Sequence, residues 1–164
     1  MEQRSRIGDW EADTIVGKGR RQALVSLTER KSKLTLLAKV EHATAEAVEA
    51  VEATITRLLQ PLASRVHTIT SDNGREFARH QHIAAKLKAD FYFAHPYASW
   101  ERGLNENTNG LVRQYFPKGS DFTTVTDEAV KRVMQRLNHR PRKTLGFTTP
   151  HQVFYELSSV ALTT

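Results

Sequence analysis

TITSDNGREF, residues 68–77, decides the fold. Thr68, Ile69 and Thr70 continue a run that starts at Val66, and β-branched residues of this kind suit a pleated, half-buried strand. The run stops at Ser71-Asp72-Asn73-Gly74. Such residues make a turn, because glycine tolerates positive φ and Asp and Asn side chains bond nearby backbone. A strand that ends by presenting a carboxylate on a tight turn has two readings. Asp72 is either local chemistry, as turn former or helix N-cap, or one member of a site completed by acids from elsewhere in the chain.

Residues 9–19, DWEADTIVGKG, alternate upstream of it. Trp10, Ala12, Thr14 and Val16 share one strand face, and Glu11, Asp13 and Ile15 the other. Two further strands, Ala23–Thr28 and Leu34–Val40, meet at Glu29-Arg30-Lys31-Ser32, which predicts an antiparallel meander. From Thr44 the period changes, and Val48, Val51, Ile55, Leu58 and Leu59 recur at helical spacing up to Pro61. After the strand at 66–70 the sequence predicts a helix over 76–87 and a short strand in DFYFAHP, residues 90–96. A helix over 101–116, stopped by Pro117, and another over 126–138 follow. The order β-β-β-α-β-α-β-α-α implies an α/β fold, a five-stranded mixed sheet flanked by helices. Ligands of such sheets gather where strands end and the connection changes direction. Asp72 stands at such an end.

The 164 residues, 39% hydrophobic and 26% charged, suit one globular domain, taken as 1–164 with its core at about 6–155. No run approaches the ~18 apolar residues of a membrane helix, and no signal peptide opens the sequence. The absence of cysteine excludes disulfides and thiolate metal sites and fits a cytosolic protein. A net charge of +6 favours polyanionic partners. The densest basic stretch, Lys131 to Lys143, includes Arg140, Arg142 and Lys143 and reads as a solvated helix face or a phosphate-contacting one. The histidines show no shared metal-ligand spacing, and Trp10 and Trp100 read as packing residues.

Two acids could join Asp72. Asp13 lies on the first strand, where a carboxylate facing the interior needs a partner; Glu11, on the same face, competes with it. Glu106 lies in NENTNG on the third helix, sharing a face with Asn109 and Arg113; Glu101 competes with it. Three converging carboxylates repel and therefore require cations. Oxygen-only ligands favour Mg²⁺ or Mn²⁺, and two such ions form a clamp for phosphodiester displacement.

WEAD (10–13), TSDNG (70–74) and ERGLNENTNG (101–110) together resemble the catalytic core of DDE transposases and retroviral-type integrases. The resemblance is strongest to insertion-sequence transposases of the IS-thirty family. There the first acid follows a tryptophan as W-x-x-D, which selects Asp13, and 33 residues separate the second acid from the glutamate, as they separate Asp72 from Glu106. The closing segment NHRPRKTLGFTTPHQVF (138–154) is also similar.

The resemblance implies a ribonuclease H-like fold, Asp13, Asp72 and Glu106 as catalytic metal ligands, and a two-ion Mg²⁺ or Mn²⁺ site. It further implies cleavage of DNA by water, strand transfer by the freed 3′-hydroxyl, and a homo-oligomer that joins transposon ends to target DNA. Arg113, seven positions after the glutamate, and Tyr97, in the loop before it, match positions that contact DNA ends. Gly110 stands where integrases often carry a second lysine. Asn73 and Asn109 orient the carboxylates, bond phosphate, or serve only the turn and the helix surface. Such transposases carry an N-terminal helix-turn-helix region, and none is readable in these residues, so weak end-sequence specificity is expected. A bacterial, nucleoid-associated setting is implied. The rival readings are a non-catalytic DNA-binding or oligomerisation module derived from a transposase, and a cellular ribonuclease H or junction nuclease.

Overall fold

A computed structural model describes residues 6–20, 22–41, 46–95 and 103–157. Strands β1 (Asp9–Val16), β2 (Gln22–Glu29) and β3 (Thr35–Glu41) form the expected meander. Helix α1 (Glu46–Leu59), strand β4 (Thr68–Ser71), helix α2 (His80–Leu87), strand β5 (Asp90–Phe93) and helices α3 (Gly103–Arg113) and α4 (Asp127–Asn138) follow. The sheet order is β3-β2-β1-β4-β5. β1–β2 and β2–β3 are antiparallel, whereas β1–β4 and β4–β5 are parallel. This is the mixed five-stranded sheet the sequence predicts.

The meander turns on a buried carboxylate. Glu29 accepts hydrogen bonds from the Ser32 amide at 2.6 Å and the Ser32 hydroxyl at 2.7 Å. The amides of Lys31 and Gly8 donate to its other oxygen, each at 3.2 Å. What reads in sequence as a charged loop is thus a turn built around one anion, with Lys33 in the left-handed region at φ 63°.

Alternation along β1 divides the core in two. Trp10 and Ala12 pack with Val25 and Leu27 against α1 through Val51, Ile55 and Leu59. On the opposite face Ile15, Leu24 and Leu37 pack against Val112 of α3 and Val130, Val133 and Leu137 of α4. Thr126 caps α4, its side chain accepting from the Ala129 amide at 3.1 Å.

Two helices are shorter than their periodicity implies. The segment expected as one helix over 76–87 opens as a 3-10 turn, Arg75–Phe77, which drops Phe77 into the core before α2 begins. The helix expected to reach 116 ends at Arg113. There the guanidinium donates to the carbonyls of Phe116 and Pro117, each at 3.4 Å, and of Val16 at 3.0 Å.

Asp9 fastens the parallel junction. Its buried carboxylate accepts from Arg6 at 2.9 and 3.0 Å and from the Thr68 hydroxyl of β4 at 2.8 Å. Burial alone would raise this carboxyl, but the hydrogen bonds from Arg6 and Thr68 and the charges of Arg6 and Arg30 outweigh it and hold it below the usual carboxylate range.

Candidate active site

The β1–β4 junction positions the first two acids. Asp9 pairs with Thr68, Trp10 with Ile69 and Glu11 with Thr70. The pairing ends at Glu11 with Thr70; Asp13 lies two residues further along β1, and Asp72 two residues beyond Thr70, one past the end of β4. Both carboxylate-bearing residues therefore belong to the same end of the β1–β4 strand pair. Asp13 also pairs with Ser26 of β2, on the sheet face that carries Glu11 and Thr28.

Asp72 is held by its own turn. Its Oδ1 accepts from the Gly74 amide at 3.1 Å, and the Ser71 hydroxyl donates to its carbonyl at 2.9 Å. It caps no helix: the 3-10 turn that follows begins at Gly74 without a side-chain cap. A β-carbon at Gly74 would sit against the Asp72 and Glu76 carboxylates, which would have to move aside.

Helix α3 completes the surroundings. Leu104, Asn105, Thr108 and Val112 face the sheet, with the Thr108 and Thr28 hydroxyls 3.3 Å apart. Asn109 Nδ2 donates to Asp13 Oδ2 at 2.8 Å, while the Thr14 amide holds Asp13 Oδ1 at 2.9 Å. Glu106 is exposed one turn before Asn109, on the same flank of the helix. The structure therefore joins Asp13 to Asn109, puts Asp72 one residue past the end of the strand that pairs with β1, and leaves Glu106 exposed on the neighbouring turn. Among the described residues no three histidine, aspartate or glutamate side chains converge on one metal position.

The donor set suits a hard divalent cation. The acids offer only oxygen, which Mg²⁺ and Mn²⁺ take. The buried Asn109 Oδ1 has no hydrogen-bond partner, a polar atom left over beside Asp13. Asn105, one turn earlier and buried, leaves both its amide atoms unsatisfied.

The expected DNA-contacting residues fall in different places. Arg113 is bound to backbone carbonyls at the end of α3 rather than to Glu106. Asn73 is exposed in the Asp72 turn. Arg140 donates to the Tyr115 hydroxyl at 2.9 Å and ties the end of α4 to the end of α3. Arg142 and Lys143 line a groove beyond α3. Tyr97, Trp100 and Glu101 lie outside the described residues.

One residue escapes the sequence reading. Glu76 Oε1 accepts from the Thr14 hydroxyl at 3.1 Å, bridging the Asp72 turn to the residue after Asp13. Its carboxylate also flanks Gly74 together with that of Asp72, so Glu76 links the Asp72 turn to β1. The only signal in sequence is its place four residues after Asp72.

A five-stranded sheet with three antiparallel strands followed by two parallel ones, flanked by helices and carrying acids at its central strand ends, is the ribonuclease H-like fold of integrase catalytic cores. The catalytic core domain of BIV integrase shares it with a TM-score of 0.68 at 20% identity, over 94% of this chain and 97% of that one. The HTLV-2 integrase catalytic core in complex with magnesium gives 0.66 at 17% identity, over 92% and 97%. No protein-family model matches the chain.

In sequence the chain is similar to insertion-sequence transposases. It is 45% identical over 157 residues to the transposase of insertion sequence element IS4351 from Bacteroides fragilis, and 35% identical over 163 residues to the transposase InsI of IS30A from Escherichia coli. These matches cover 96% and 99% of this chain but 47% and 41% of the relatives, so the chain spans less than half the length of the curated proteins it matches. The resemblance to the IS-thirty transposases holds in sequence, and that to integrase cores in fold. No helix among the described residues is long and apolar enough to cross a membrane.

Proposed function

We propose that this chain is the catalytic domain of a DDE transposase, cleaving DNA strands and joining them to new sites with Asp13, Asp72 and Glu106 as its metal-binding acids. The observation that supports this is the bond of Asn109 Nδ2 to Asp13 Oδ2, with Glu106 one turn earlier on α3 and Asp72 just past the end of β4, the parallel neighbour of β1. Bound Mg²⁺ or Mn²⁺ would supply charge neutralisation and an activated attacking oxygen for in-line displacement at phosphorus. The chain's own part is orientation. The Gly74 and Thr14 amides each fix one carboxylate oxygen, and the Asn109 amide fixes the second oxygen of Asp13. Its substrate is DNA, its working form is an oligomer able to bring two ends together, and its setting is bacterial. These extensions rest on the transposases and integrases it resembles.

Nicking of supercoiled plasmid in Mn²⁺ or Mg²⁺ tests the reading. The unmodified chain is expected to nick, and Asp13→Asn and Glu106→Gln are each expected to abolish nicking with folding intact by circular dichroism. Cleavage persisting in either variant removes that acid from the site. DNA binding without any nicking would favour the non-catalytic module.

Glu76 then acts as a positioning residue. Outer partners of metal ligands typically contribute about 10–100-fold in affinity. Glu76→Leu, which removes the acceptor of the Thr14 hydroxyl, is expected to weaken Mn²⁺ binding by about tenfold in calorimetry. Thr14→Val, which removes the donor, should do the same. An unchanged Mn²⁺ affinity in both variants would limit this contact to stability.

A further inference from the structure

The loop after α4 offers an aromatic ring to solvent. Phe147 is 70% exposed, the most of any large hydrophobic residue among those described. Its backbone lies in the left-handed region at φ 67°, directly after Gly146 at φ 62°. Glycine adopts that region freely, whereas a residue with a β-carbon is strained there, a bulky one most of all. With so little of the ring buried, packing does not offset the strain.

Backbone hydrogen bonds of the loop hold the strained residue in place. The Phe147 amide donates to the Arg142 carbonyl at 2.8 Å, and the Arg142 amide to the Thr148 carbonyl at 2.9 Å. The Leu145 amide also donates to the Arg142 carbonyl, at 3.0 Å. Strain that the surrounding structure maintains in this way gathers at ligand contacts.

The charge along this segment selects the ligand. Residues 129–155 contain Lys131, Arg132, Arg136, Arg140, Arg142 and Lys143 and no aspartate or glutamate. A second copy of the chain would bring the same positive charge to this face, and like charges in apposition cost binding. A polyanion that also carries flat aromatic faces suits both the cations and the ring. DNA is such a polymer. In a duplex its base faces are covered by their stacked neighbours, while an unpaired base leaves its face open to an aromatic side chain. The loop also adjoins the helix that carries Glu106: Arg142, Lys143 and Thr144 line one cleft with Gly103, Leu104 and Asn107 of α3.

We infer that Phe147 is a stacking platform for an unpaired base of the bound DNA, with the exposed Lys143 serving the adjoining phosphate. The identity of the polyanion rests on the transposase reading. Every base has a π-face, so the platform holds a strand without reading its sequence.

The test compares binding of a blunt DNA duplex with binding of the same duplex carrying a short single-stranded end. The unmodified chain is expected to prefer the second. Phe147→Gly, which suits the left-handed backbone, is expected to bind the single-stranded end about tenfold more weakly and the blunt duplex less than about twofold more weakly. It should melt no lower than the unmodified chain. Phe147→Trp keeps a flat ring, should retain the preference, and should show fluorescence quenched by the single-stranded end beyond that of the unmodified chain. Tyr92→Ala removes the other strongly exposed ring, 53% exposed on β5, and should leave the preference intact.

An unmodified chain that binds both duplexes alike overturns the proposal, as does Phe147→Gly binding that is unchanged or equally weakened for both. A lower melting temperature in Phe147→Gly would make the ring structural and overturns it too. The two readings fail separately. Nicking in Mn²⁺ with the preference unaltered in Phe147→Gly rejects the platform and leaves the carboxylate site. A preference lost in Phe147→Gly, in a chain that neither binds Mn²⁺ nor nicks, keeps the platform and rejects the catalytic reading.

Discussion

Asp72→Asn is expected to bind Mn²⁺ at least about 100-fold more weakly than the unmodified chain in titration calorimetry, the upper end of what loss of a mere outer partner costs a metal site. The substitution is conservative in every other respect. The amide oxygen can still accept from the Gly74 amide, so the turn survives. Only the charge is lost. Because neighbouring carboxylates repel when no cation separates them, the same variant should melt slightly higher than the unmodified chain in metal-free buffer. Weaker metal binding with unchanged or raised stability is the signature of a site that trades stability for function. Asp127→Asn, in the exposed first turn of α4, is the matched control and should alter neither quantity. Equal Mn²⁺ binding by all three proteins would return Asp72 to turn chemistry and put the DNA-binding module first.

Trp10→Ala should cost about 3–5 kcal/mol of folding stability by urea denaturation, as for other large aromatic-to-alanine changes in cores. For a domain of this size that lowers the melting temperature by roughly 6–20 °C. Trp10 is fully buried on β1 and packs edge-on against Phe154, 5.7 Å between ring centres. Its indole N–H donates to the Arg65 carbonyl at 3.0 Å, and the Arg65 guanidinium in turn lies over Phe154 and donates to that residue's carbonyl at 2.9 Å. One side chain thus joins β1, the segment before β4 and the final turn of the described chain. Trp10→Phe keeps the ring but leaves the Arg65 carbonyl without its donor, and should lose about 1–3 kcal/mol. A loss below about 1 kcal/mol in Trp10→Ala would show that the core closes over the gap, contrary to its packing.

The strands and the second half of the fold are legible because their signals are local. Alternation along β1 assigns Trp10 to the core and Asp13 to the opposite face, and the structure has both there. The helix expected over 126–138 matches α4 to within a residue, with Thr126 serving as its N-cap rather than its first residue. Helix ends are less legible. The start of α2 depends on Phe77 entering the core, and the end of α3 on a long-range bond from Arg113 to Val16. The site divides in the same way. Asp13 and Asp72 stand out as carboxylates placed on strands or strand ends. The bond of Asn109 to Asp13 spans 96 positions and that of Thr14 to Glu76 spans 62. No periodicity reports contacts of that separation. Glu29 shows the converse, a charged residue in a charged stretch that turns out to be fully buried because four donors surround it.

The parallel pairing of β1 with β4 has a consequence for how the chain acquires its chemistry. β1, β2 and β3 are joined by short turns, so their pairing closes small loops and is favoured early. β1 and β4 meet only across a separation of 59 residues, as in Asp9 with Thr68. A chain with only its meander formed holds Asp13, but Asp72 reaches the neighbouring strand end only when β4 pairs with β1. Under the proposed transposase function this makes topology a safeguard: a copy without that pairing would hold Asp13 on its meander but lack Asp72 on the neighbouring strand end, and would have half the proposed site.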